Sequence, residues 1–347
     1  MKFVTKLIIE IVVVCLIFSG IVLYREINTK ASPIGERVVF QIEQGQSLTS
    51  LADQLEERGI IRFSGLFKKY MAYRGVDTKL QPGGYGVEPP ITLRKVVDAI
   101  ANTRQNRDEI HITILPGWTI RDVAQYFEKN EIASAEEVYE LLGKSAVRGS
   151  MGSLEVEGSK VFKEKPKAVS LEGYLAPETI RFFTDASPEE VLSRFVKHRD
   201  EQITDTMWED IALSGRSFHE ILTMASLLER EVKSSEDRAL VSDLFWRRYD
   251  SGWALQADST VHYVDGSDGS SVFTSAAQRD IDSPWNTYKY PGLPPGPIAI
   301  PTLDSIKAAI YPEKNNYWYF LTTLDTGEVK YASTLQGHNS NVNKYLR

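Results

Sequence analysis

Cysteine and histidine are scarce in this sequence, which limits the kinds of site it can build. The 347 residues include one cysteine and five histidines. A single cysteine, Cys15, excludes both an intramolecular disulfide and a cysteine metal cluster. The histidines lie far apart, and His219-Glu220 lacks the second histidine of a zinc-protease helix because position 223 is threonine. We therefore expect neither a metal ion nor a cofactor.

Basic charge is also in short supply. The chain has 40 lysines and arginines against 47 acidic residues, for a net charge of -7. The basic residues are scattered, with no block of five or six. Since nucleic acids bind to basic faces, we expect no nucleic-acid partner. A composition that is 42% hydrophobic and 25% charged is typical of a globular chain with room for roughly two or three domains.

A long apolar run occurs at the N-terminus, at residues 7–24. Its 18 residues contain one charge, Glu10, and their length is just sufficient to cross a bilayer. Lys2 and Lys6 precede the run, so the positive-inside rule places residues 1–6 in the cytoplasm. The sequence therefore predicts a single-pass anchor in the inner membrane, with the rest of the chain outside the cytoplasm.

Two alternatives to an anchor have weaker support. A cleaved signal peptide needs a small-x-small site after the apolar run, and residues 22–26 offer none. A lipoprotein needs small residues before its cysteine, whereas Cys15 follows three valines. Residues 25–36 are then predicted to be a polar linker.

An internal repeat follows the linker: residues 42–60 align without gaps on residues 114–132. Each copy contains a short strand, a glycine turn, a Ser or Thr N-cap and an amphipathic helix. Two copies predict two strand-turn-helix units and exclude a solenoid, which needs three or more repeats. The matched pairs are Gly45 and Gly117, Ser47 and Thr119, Leu48 and Ile120, Leu51 and Val123, Ala52 and Ala124, Leu55 and Phe127, and Ile60 and Ile132.

The first copy carries a G-x-S-L-x-x-L-A pattern that starts at Gly45 and resembles the LysM family of peptidoglycan-binding modules. A turn and strand at 81–85 and a helix at 92–101 follow it. We predict a small LysM-like α+β domain over residues 37–105. The resemblance implies binding to the cell wall, and a spacer that binds nothing is the alternative.

The stretch from Ser217 to Val264 is the centre of the remaining chain. Ser217 and Glu220 form an S-x-x-E capping box before an apolar run, which predicts a helix start. Five apolar residues then recur at helical spacing and predict one buried stripe. The stripe consists of Ile221, Met224, Ala225, Leu228 and Val232.

Two glutamates, Glu229 and Glu231, flank the end of this stripe on opposite shoulders. Their side chains diverge by about 160°, so at most one points squarely into a given cleft. Partial burial raises the pKa of a carboxyl group, and a general acid needs that property. The periodicity leaves open which glutamate is functional, or whether both are solvated surface charges.

The sequence predicts a loop, two helices and a strand on either side of this helix. Residues 143–170 are rich in Gly, Ser and Lys and predict a loop or mobile flap. Ser187 starts a helix that runs to about residue 205. A second helix is predicted at 235–249 and a strand at 255–263, in which Asp258 shares a face with Gln256 and Thr260.

The C-terminal part of the sequence combines aromatic residues with a rigid loop. Residues 285–288 read Trp-Asn-Thr-Tyr, and residues 291–298 are rich in proline and glycine. Aromatic faces and amides next to a rigid wall suit a sugar, although a structural aromatic corner explains them equally well. A helix at 302–310, strands on both sides of a turn at 325–327 and a short helix after 339 complete the chain.

These motifs, in this order, resemble the YceG-like family, the membrane-anchored endolytic murein transglycosylases. The resemblance covers nearly the whole chain and assigns residues 106–347 to a larger α+β catalytic domain. Serine at position 259 differs from the proline usual in the family, and residues 175–179 differ from its aromatic-Pro-Asp-Thr pattern. The motifs are M-A-S-L-L-E-R-E at 224–231, L-Q-A-D-S-T-V at 255–261, W-N-T-Y at 285–288 and G-L-P-P-G-P-I at 292–298.

The resemblance implies that the last glutamate of the A-S-x-x-E-x-E motif, Glu231, is the catalytic acid, with Glu229 as second choice. It implies cleavage of the bond between N-acetylmuramic acid (MurNAc) and N-acetylglucosamine (GlcNAc) with formation of 1,6-anhydroMurNAc ends, which would terminate elongation of nascent strands. The implied partners are peptidoglycan strands and a peptidoglycan synthase (penicillin-binding protein). Candidates for holding the sugar are Gln256, Asp258, Asn286 and Tyr288, together with Glu229 if it is not the acid.

Two other functions remain open on the sequence. A glycoside hydrolase could pair Glu231 as acid with Asp258 as base for a water. A membrane-tethered scaffold could bind the wall through residues 37–105 without catalysis.

Overall fold

The computed structural model describes residues 18, 20–22, 24–29, 37–43, 45–77, 80–102, 109–184, 186–267 and 274–346. The chain forms two compact units, Met1–Ile110 with Arg181–Ala186 and His111–Ile180 with Ser187–Arg347. The mixture of helices with small two-stranded sheets confirms the α+β class.

The predicted anchor at 7–24 lies mostly outside the described residues, which include only 18, 20–22 and 24 of it. Within the described part of the chain, no helix has the length and apolar character needed to cross a bilayer. Residues 24–28 are helical, so the predicted linker at 25–36 begins within a helix.

Between residues 37 and 102, the described part of the first unit forms an antiparallel pair of strands and three helices. The pairing runs from Val38 opposite Val87 to Ile42 opposite Gly83. Alternate residues of the first strand are buried, so one of its faces covers the core. The elements are β1 (Val38–Ile42), α1 (Leu48–Glu57), α2 (Ser64–Tyr73), β2 (Gly83–Val87) and α3 (Leu93–Ala101).

The second unit is mainly helical. Strand β3 (Glu109–Ile114), at its start, is paired with β4 (Glu178–Phe183), and β5 (Tyr319–Thr322) is paired with β6 (Val329–Ala332). The helices are α4 (Ile120–Lys129), α5 (Ala135–Leu142), α6 (Pro188–Gln202), α7 (Asp205–Ser214), α8 (Phe218–Glu231), α9 (Ser235–Asp250), α10 (Asp258–Asp265), α11 (Ala276–Arg279), α12 (Leu303–Ile310) and α13 (Leu335–Tyr345).

The internal repeat forms the predicted elements. The hydroxyl of Ser47 caps α1 by accepting from the Ser50 N–H, and the hydroxyl of Thr119 caps α4 by accepting from the Asp122 N–H. Gly45 and Gly117, which precede these caps, both have a φ of 77°. Such a left-handed turn favours glycine, which explains why both copies carry it.

Helix α8 is the central element of the second unit. Its predicted capping box is present, with Ser217 and Glu220 each accepting from the other's backbone N–H. All residues from Phe218 to Leu228 except Glu220 are buried, not only the predicted stripe, because α9, α10 and α12 pack around the helix. After Leu228 the helix emerges from the core at its C-terminal end.

The prediction of a strand at 255–263 is wrong, because Asp258–Asp265 forms α10. Local preference favoured a strand here, since Thr260 and Val261 are β-branched. Packing overrides it: both side chains are buried, Asp258 lies at the favourable N-terminal end of the helix dipole, and Gly266 ends the helix in a left-handed conformation. As a consequence, Thr260 does not share a face with Asp258.

Other boundaries also differ from the predictions. The helix that starts after Ser187 ends at Gln202, and a separate helix, α7, follows it. The last helix starts at Leu335, before residue 339. Residues 143–170 contain no regular element, as predicted, but Leu154, Val161 and other apolar side chains of this segment are buried in the unit.

Gly173 fixes the segment before β4 against the rigid loop at 291–298. It has a φ of +81°, and a Cβ placed there would lie 2.6 Å from Pro297 Cβ and 3.1 Å from the Ala299 carbonyl oxygen. The next residue, Tyr174, is 2.8 Å through its hydroxyl from His219 Nδ1 in α8, and His219 Nε2 is 2.9 Å from the Pro295 carbonyl. Since that carbonyl only accepts, Nε2 carries the proton and Tyr174 donates to Nδ1.

We predict that Gly173→Ala lowers the free energy of unfolding by about 2–4 kcal/mol, because it adds overpacking to left-handed strain. Gly158→Ala is the matched control: its φ is +75°, and its Cβ would meet nothing within 4 Å. The control should lose only the strain contribution of about 1–2 kcal/mol. Denaturant unfolding of both variants measures the difference, and equal losses would contradict the predicted clash.

Candidate active site

The two glutamates at the end of α8 have different partners, as their divergence predicts. Glu229 is nearly buried, with 7% of its side chain exposed, and pairs with Arg238 of α9 at 3.1 Å. Its other oxygen, Oε2, accepts from the Thr302 N–H at 2.9 Å and from the hydroxyls of Thr302 and Ser305, both at 2.7 Å. Glu229 therefore joins α8 to α9 and to the N-terminus of α12.

The structure thus places Glu229, predicted as the alternative acid or as a sugar ligand, among helix-joining contacts. Arg238 occupies one oxygen of Glu229 and three hydrogen-bond donors occupy the other, so neither oxygen is open to a substrate group. Glu229 also does not line the cavity described below. Its function is to hold three helices together.

Glu231 is the last residue of α8, where the helix leaves the core. Its Oε1 accepts two hydrogen bonds from Ser259 of α10, from the hydroxyl at 2.6 Å and from the backbone N–H at 3.1 Å. Burial raises the pKa of Glu231, and the negative charge of Asp258 raises it further, whereas the Ser259 donors oppose the shift. The carboxyl group is thus biased towards its protonated form.

Glu231 lies on a cavity of about 590 Å³. Helices α8, α9 and α10 and residues 285–288, here called the aromatic turn, form one side of the cavity. Strand β5 and helix α13 form another side. The lining residues are Arg230, Glu231, Arg248, Gln256, Asp258, Ser259, His262, Tyr288, Tyr319, Phe320, Leu321, Thr322, Leu335, His338, Val342 and Leu346. The structure therefore brings Glu231, Gln256, Asp258 and Tyr288 together, as the sequence predicts.

Asp258 is held at the first position of α10 by two hydroxyl groups. Tyr288 and Thr274 donate to its Oδ1 at 2.7 Å and 2.6 Å. Burial raises the pKa of Tyr288, and the Asp258 carboxylate raises it further, so the phenol keeps its proton and remains a donor. The cavity thus presents Asp258, fixed by two hydroxyl groups, together with Glu231.

Asn286, the remaining residue predicted to hold the sugar, does not line this cavity. The residue is fully buried, and its amide nitrogen donates to the carbonyls of Arg279 and Ile281 at 2.9 Å and 2.8 Å. Its Oδ1 accepts from the Tyr288 N–H at 3.0 Å. Both ends of the amide are therefore occupied, and Asn286 shapes the turn that presents Tyr288.

Thr287 fastens this turn to the start of α10. Its hydroxyl accepts from the Ala257 N–H at 3.0 Å and lies 3.0 Å from the Thr260 hydroxyl, while its carbonyl accepts from the Gln256 N–H at 3.2 Å. Gln256 has a φ of 56°, a left-handed conformation that is strained for a residue with a side chain. The strain is sustained by these contacts and places the Gln256 side chain on the cavity.

The opposite wall contains residues that the sequence did not indicate. Strand β5 and helix α13 follow Glu231 by about ninety residues or more, and no pattern at that separation identifies a contact. Arg248 of α9 joins this wall to the rest, since it donates to the Leu255 carbonyl at 2.6 Å and to the Trp318 carbonyl. Ser259 had a visible signal, its place after Asp258, but its bond to Glu231 depends on α10 being a helix.

Comparison with known proteins identifies a matching family and similar sequences. A model of the YceG-like family matches residues 40–344. An endolytic murein transglycosylase of Bacillus subtilis is 30% identical over 312 residues, which cover 89% of this chain and 85% of that protein. An endolytic murein transglycosylase of Streptococcus pneumoniae is 26% identical over 329 residues, and the match spans 89% of this chain but only 58% of that relative's length.

A solved structure shares the fold. The crystal structure of a YceG-like protein from Listeria monocytogenes superposes with a TM-score of 0.56 at 29% identity. The match covers 88% of this chain and 99% of the Listeria chain.

We predict that Glu229→Gln lowers the free energy of unfolding by about 3–5 kcal/mol, because it leaves Arg238 buried without its counter-charge. Denaturant unfolding measures the loss. The control is Glu231→Gln, which breaks no ion pair of the described residues and replaces a carboxyl group of raised pKa by a neutral amide. It should change stability by less than about 1 kcal/mol. A smaller loss for Glu229→Gln than for Glu231→Gln would contradict these two roles.

Proposed function

This chain belongs to the YceG-like family, and we propose that it is an endolytic peptidoglycan lytic transglycosylase with Glu231 as its catalytic acid. The observation that carries the proposal is the state of this carboxyl group. It is desolvated, biased towards protonation, fixed through Oε1 by Ser259 and exposed to a cavity large enough for a ligand. The names of the relatives support the same reaction class.

The geometry of the hydrogen bonds assigns the acidic proton. Both Ser259 donors point to Oε1, so that oxygen acts as an acceptor and the proton belongs on Oε2. Within the described part of the chain, no hydrogen bond reaches Oε2. Oε2 is therefore available to the glycosidic oxygen between MurNAc and GlcNAc.

The reaction proceeds in two proton transfers. Glu231 Oε2–H donates its proton to the glycosidic oxygen as the bond from that oxygen to C1 of MurNAc breaks, and GlcNAc leaves with a new hydroxyl. The C6 hydroxyl of the same MurNAc then bonds to C1 and returns its proton to the Glu231 carboxylate. The product carries a 1,6-anhydro ring, the acid is regenerated, and no water is consumed.

The surrounding charges suit both steps. The Ser259 donors stabilise the carboxylate that forms after the first transfer. The Asp258 carboxylate, fixed by Tyr288 and Thr274, places negative charge next to the site where C1 becomes positive. Gln256 and Tyr288 are the side chains on this wall that we assign to binding the sugar.

A second function is favoured by one observation, the presence of Asp258 on the same cavity as Glu231. Two carboxyl groups allow a glycoside hydrolase, in which Asp258 activates a water while Glu231 protonates the leaving group. The two mechanisms differ in their product, since hydrolysis gives a reducing end and adds a water.

The cellular role extends the proposal beyond the site. The apolar run at 7–24 supports anchoring in the inner membrane with the catalytic domain outside the cytoplasm. The LysM-like pattern, in a unit ordered strand-helix-helix-strand, supports contact of residues 37–105 with the wall. An enzyme anchored there would cut nascent strands beside a peptidoglycan synthase and terminate their elongation.

We predict that the full-length protein releases muropeptides with 1,6-anhydroMurNAc ends from intact peptidoglycan, and that Glu231→Gln slows this release by at least about 100-fold because the amide cannot donate an acidic proton. Mass spectrometry identifies anhydro ends as one water lighter than hydrolytic ends. The matched control is Glu209→Gln, an exposed glutamate on α7 that should leave the rate unchanged.

Each alternative has its own outcome in this experiment. Hydrated ends that disappear with Glu231→Gln and with Asp258→Asn would replace the transglycosylase with the two-carboxylate hydrolase. Binding to peptidoglycan without cleavage by the unmodified protein would indicate the non-catalytic scaffold. Anhydro ends that persist at full rate in Glu231→Gln would refute the assignment of the acid.

A further inference from the structure

One backbone edge of strand β5 borders the cavity. Four consecutive residues, from Tyr319 to Thr322, line the cavity. Successive side chains of a strand point to opposite faces, so a wall made by one face would contain alternate residues only. An unbroken run of four indicates that the backbone itself borders the cavity. Among the strands that the structure describes, β5 pairs with β6 alone, so this border is the unpaired edge of a two-stranded sheet.

The hairpin fixes which backbone groups point to that edge. The Thr323 N–H donates to the Glu328 carbonyl at 2.9 Å, and the register pairs Thr322 with Val329 and Phe320 with Tyr331. Hydrogen-bonded and non-hydrogen-bonded pairs alternate along an antiparallel ladder. The pairs of Thr322 and of Phe320 are therefore the non-hydrogen-bonded ones, whose N–H and C=O groups point away from the partner strand.

The other edge of the hairpin supports this assignment. Tyr331, the partner of Phe320, should also point its carbonyl outwards, and that carbonyl accepts from the Asn341 amide of α13 at 3.2 Å. The outward groups of β6 are thus met by α13. For Phe320 and Thr322, the hydrogen bonds of the described residues include none to their outward N–H and C=O groups.

We infer that the free edge of β5 is a subsite for the stem peptide carried by the muramyl residue, which binds as a third strand next to the catalytic cavity. The inference rests on the proposed function, because it takes peptidoglycan as the substrate. β-Strand addition supplies main-chain hydrogen bonds between an extended peptide and an exposed sheet edge. The same cavity contains Glu231, so a peptide on this edge and a muramyl sugar at the acid occupy one continuous space.

The spacing of the edge groups selects a peptide over a glycan. The N–H and C=O pairs of Phe320 and Thr322 repeat every two residues, or about 6.8 Å. The α-linked part of an extended stem peptide offers complementary acceptors and donors with this repeat. A sugar chain offers hydroxyls and acetamido groups that lack the paired arrangement of a strand.

The remaining walls match the other properties of such a peptide. Leu335, Val342 and Leu346 of the α13 region give the cavity an apolar border that suits alanyl methyl groups. Arg230 and Arg248 also line it and add positive charge, which complements the free carboxylates of a stem peptide. The inferred subsite thus combines a backbone edge, an apolar border and positive charge.

The test uses Thr322→Pro, which removes the N–H that points into the cavity and leaves the ladder to β6 intact. Thr322→Ala is the reference, since it also lacks the threonine side chain but keeps the N–H. Both full-length variants are assayed on uncrosslinked glycan strands that carry stem peptides and on the same strands stripped by an amidase. The melting temperatures of both variants are measured alongside.

Relative to Thr322→Ala, we expect Thr322→Pro to lower kcat/KM about tenfold on peptide-bearing strands, the effect of one lost hydrogen bond, and less than twofold on stripped strands. Equal losses of kcat/KM on both substrates would overturn the inference, because the edge would then contact the sugar and not the peptide. The absence of a loss on either substrate would overturn it as well.

A binding measurement separates this inference from the proposed function and does not depend on the proline variant folding. In the Glu231→Gln protein, a synthetic peptide-bearing tetrasaccharide should slow amide hydrogen exchange at Phe320 and Thr322, and the stripped tetrasaccharide should not. No slowing with either ligand would overturn the subsite. Slowing in a protein whose unmodified form cleaves neither substrate would refute the catalytic proposal and retain the subsite.

Discussion

A carboxyl group withdrawn from water at the end of a buried helix must either face a cation or bind a proton, because an unpaired buried charge is costly. The residues around the end of α8 meet this requirement in two ways. Helix α8 is enclosed by α9, α10 and α12 up to Leu228, so both glutamates that follow are partly withdrawn from water. Glu229 meets the requirement with Arg238 and the N-terminus of α12. Glu231 has donors from Ser259 and, among the described residues, forms no ion pair, and burial raises its pKa. One helix end thus holds one glutamate in an ion pair and another whose pKa is raised.

The second constraint is the attachment of α10 to the aromatic turn. Thr287 bonds to the backbone and side chains at the start of α10, and Asn286 uses its entire amide to shape the turn. These buried polar groups determine where Asp258, Ser259 and Tyr288 lie relative to Glu231. The residues that contact the cavity are therefore positioned by neighbours in the sequence that do not reach it.

The sequence predicts the site where local rules are sufficient. The capping box starts α8, helical geometry separates Glu229 from Glu231, and the glycine turns of the repeat form as expected. It fails where packing over long separations decides. The β-branched residues of α10 locally favour a strand, and only their burial against α8 makes this segment helical. The side chain of an Asn in an aromatic turn can bind a sugar or stabilise the turn, and the sequence does not distinguish the two. No local pattern indicates that β5 and α13 form a wall of the cavity.

The central claim is that burial raises the pKa of Glu231 and so favours its protonated form, and the titration of this carboxyl group tests the claim most directly. The carboxyl carbon of Glu231, labelled with ¹³C and identified by its absence in Glu231→Gln, can be followed by NMR as the pH is raised. The account predicts a pKa above the ordinary glutamate value of about 4.3, and a still higher pKa in Ser259→Ala, which loses a donor that stabilises the carboxylate. A pKa at or below the ordinary value in the unmodified protein would contradict it.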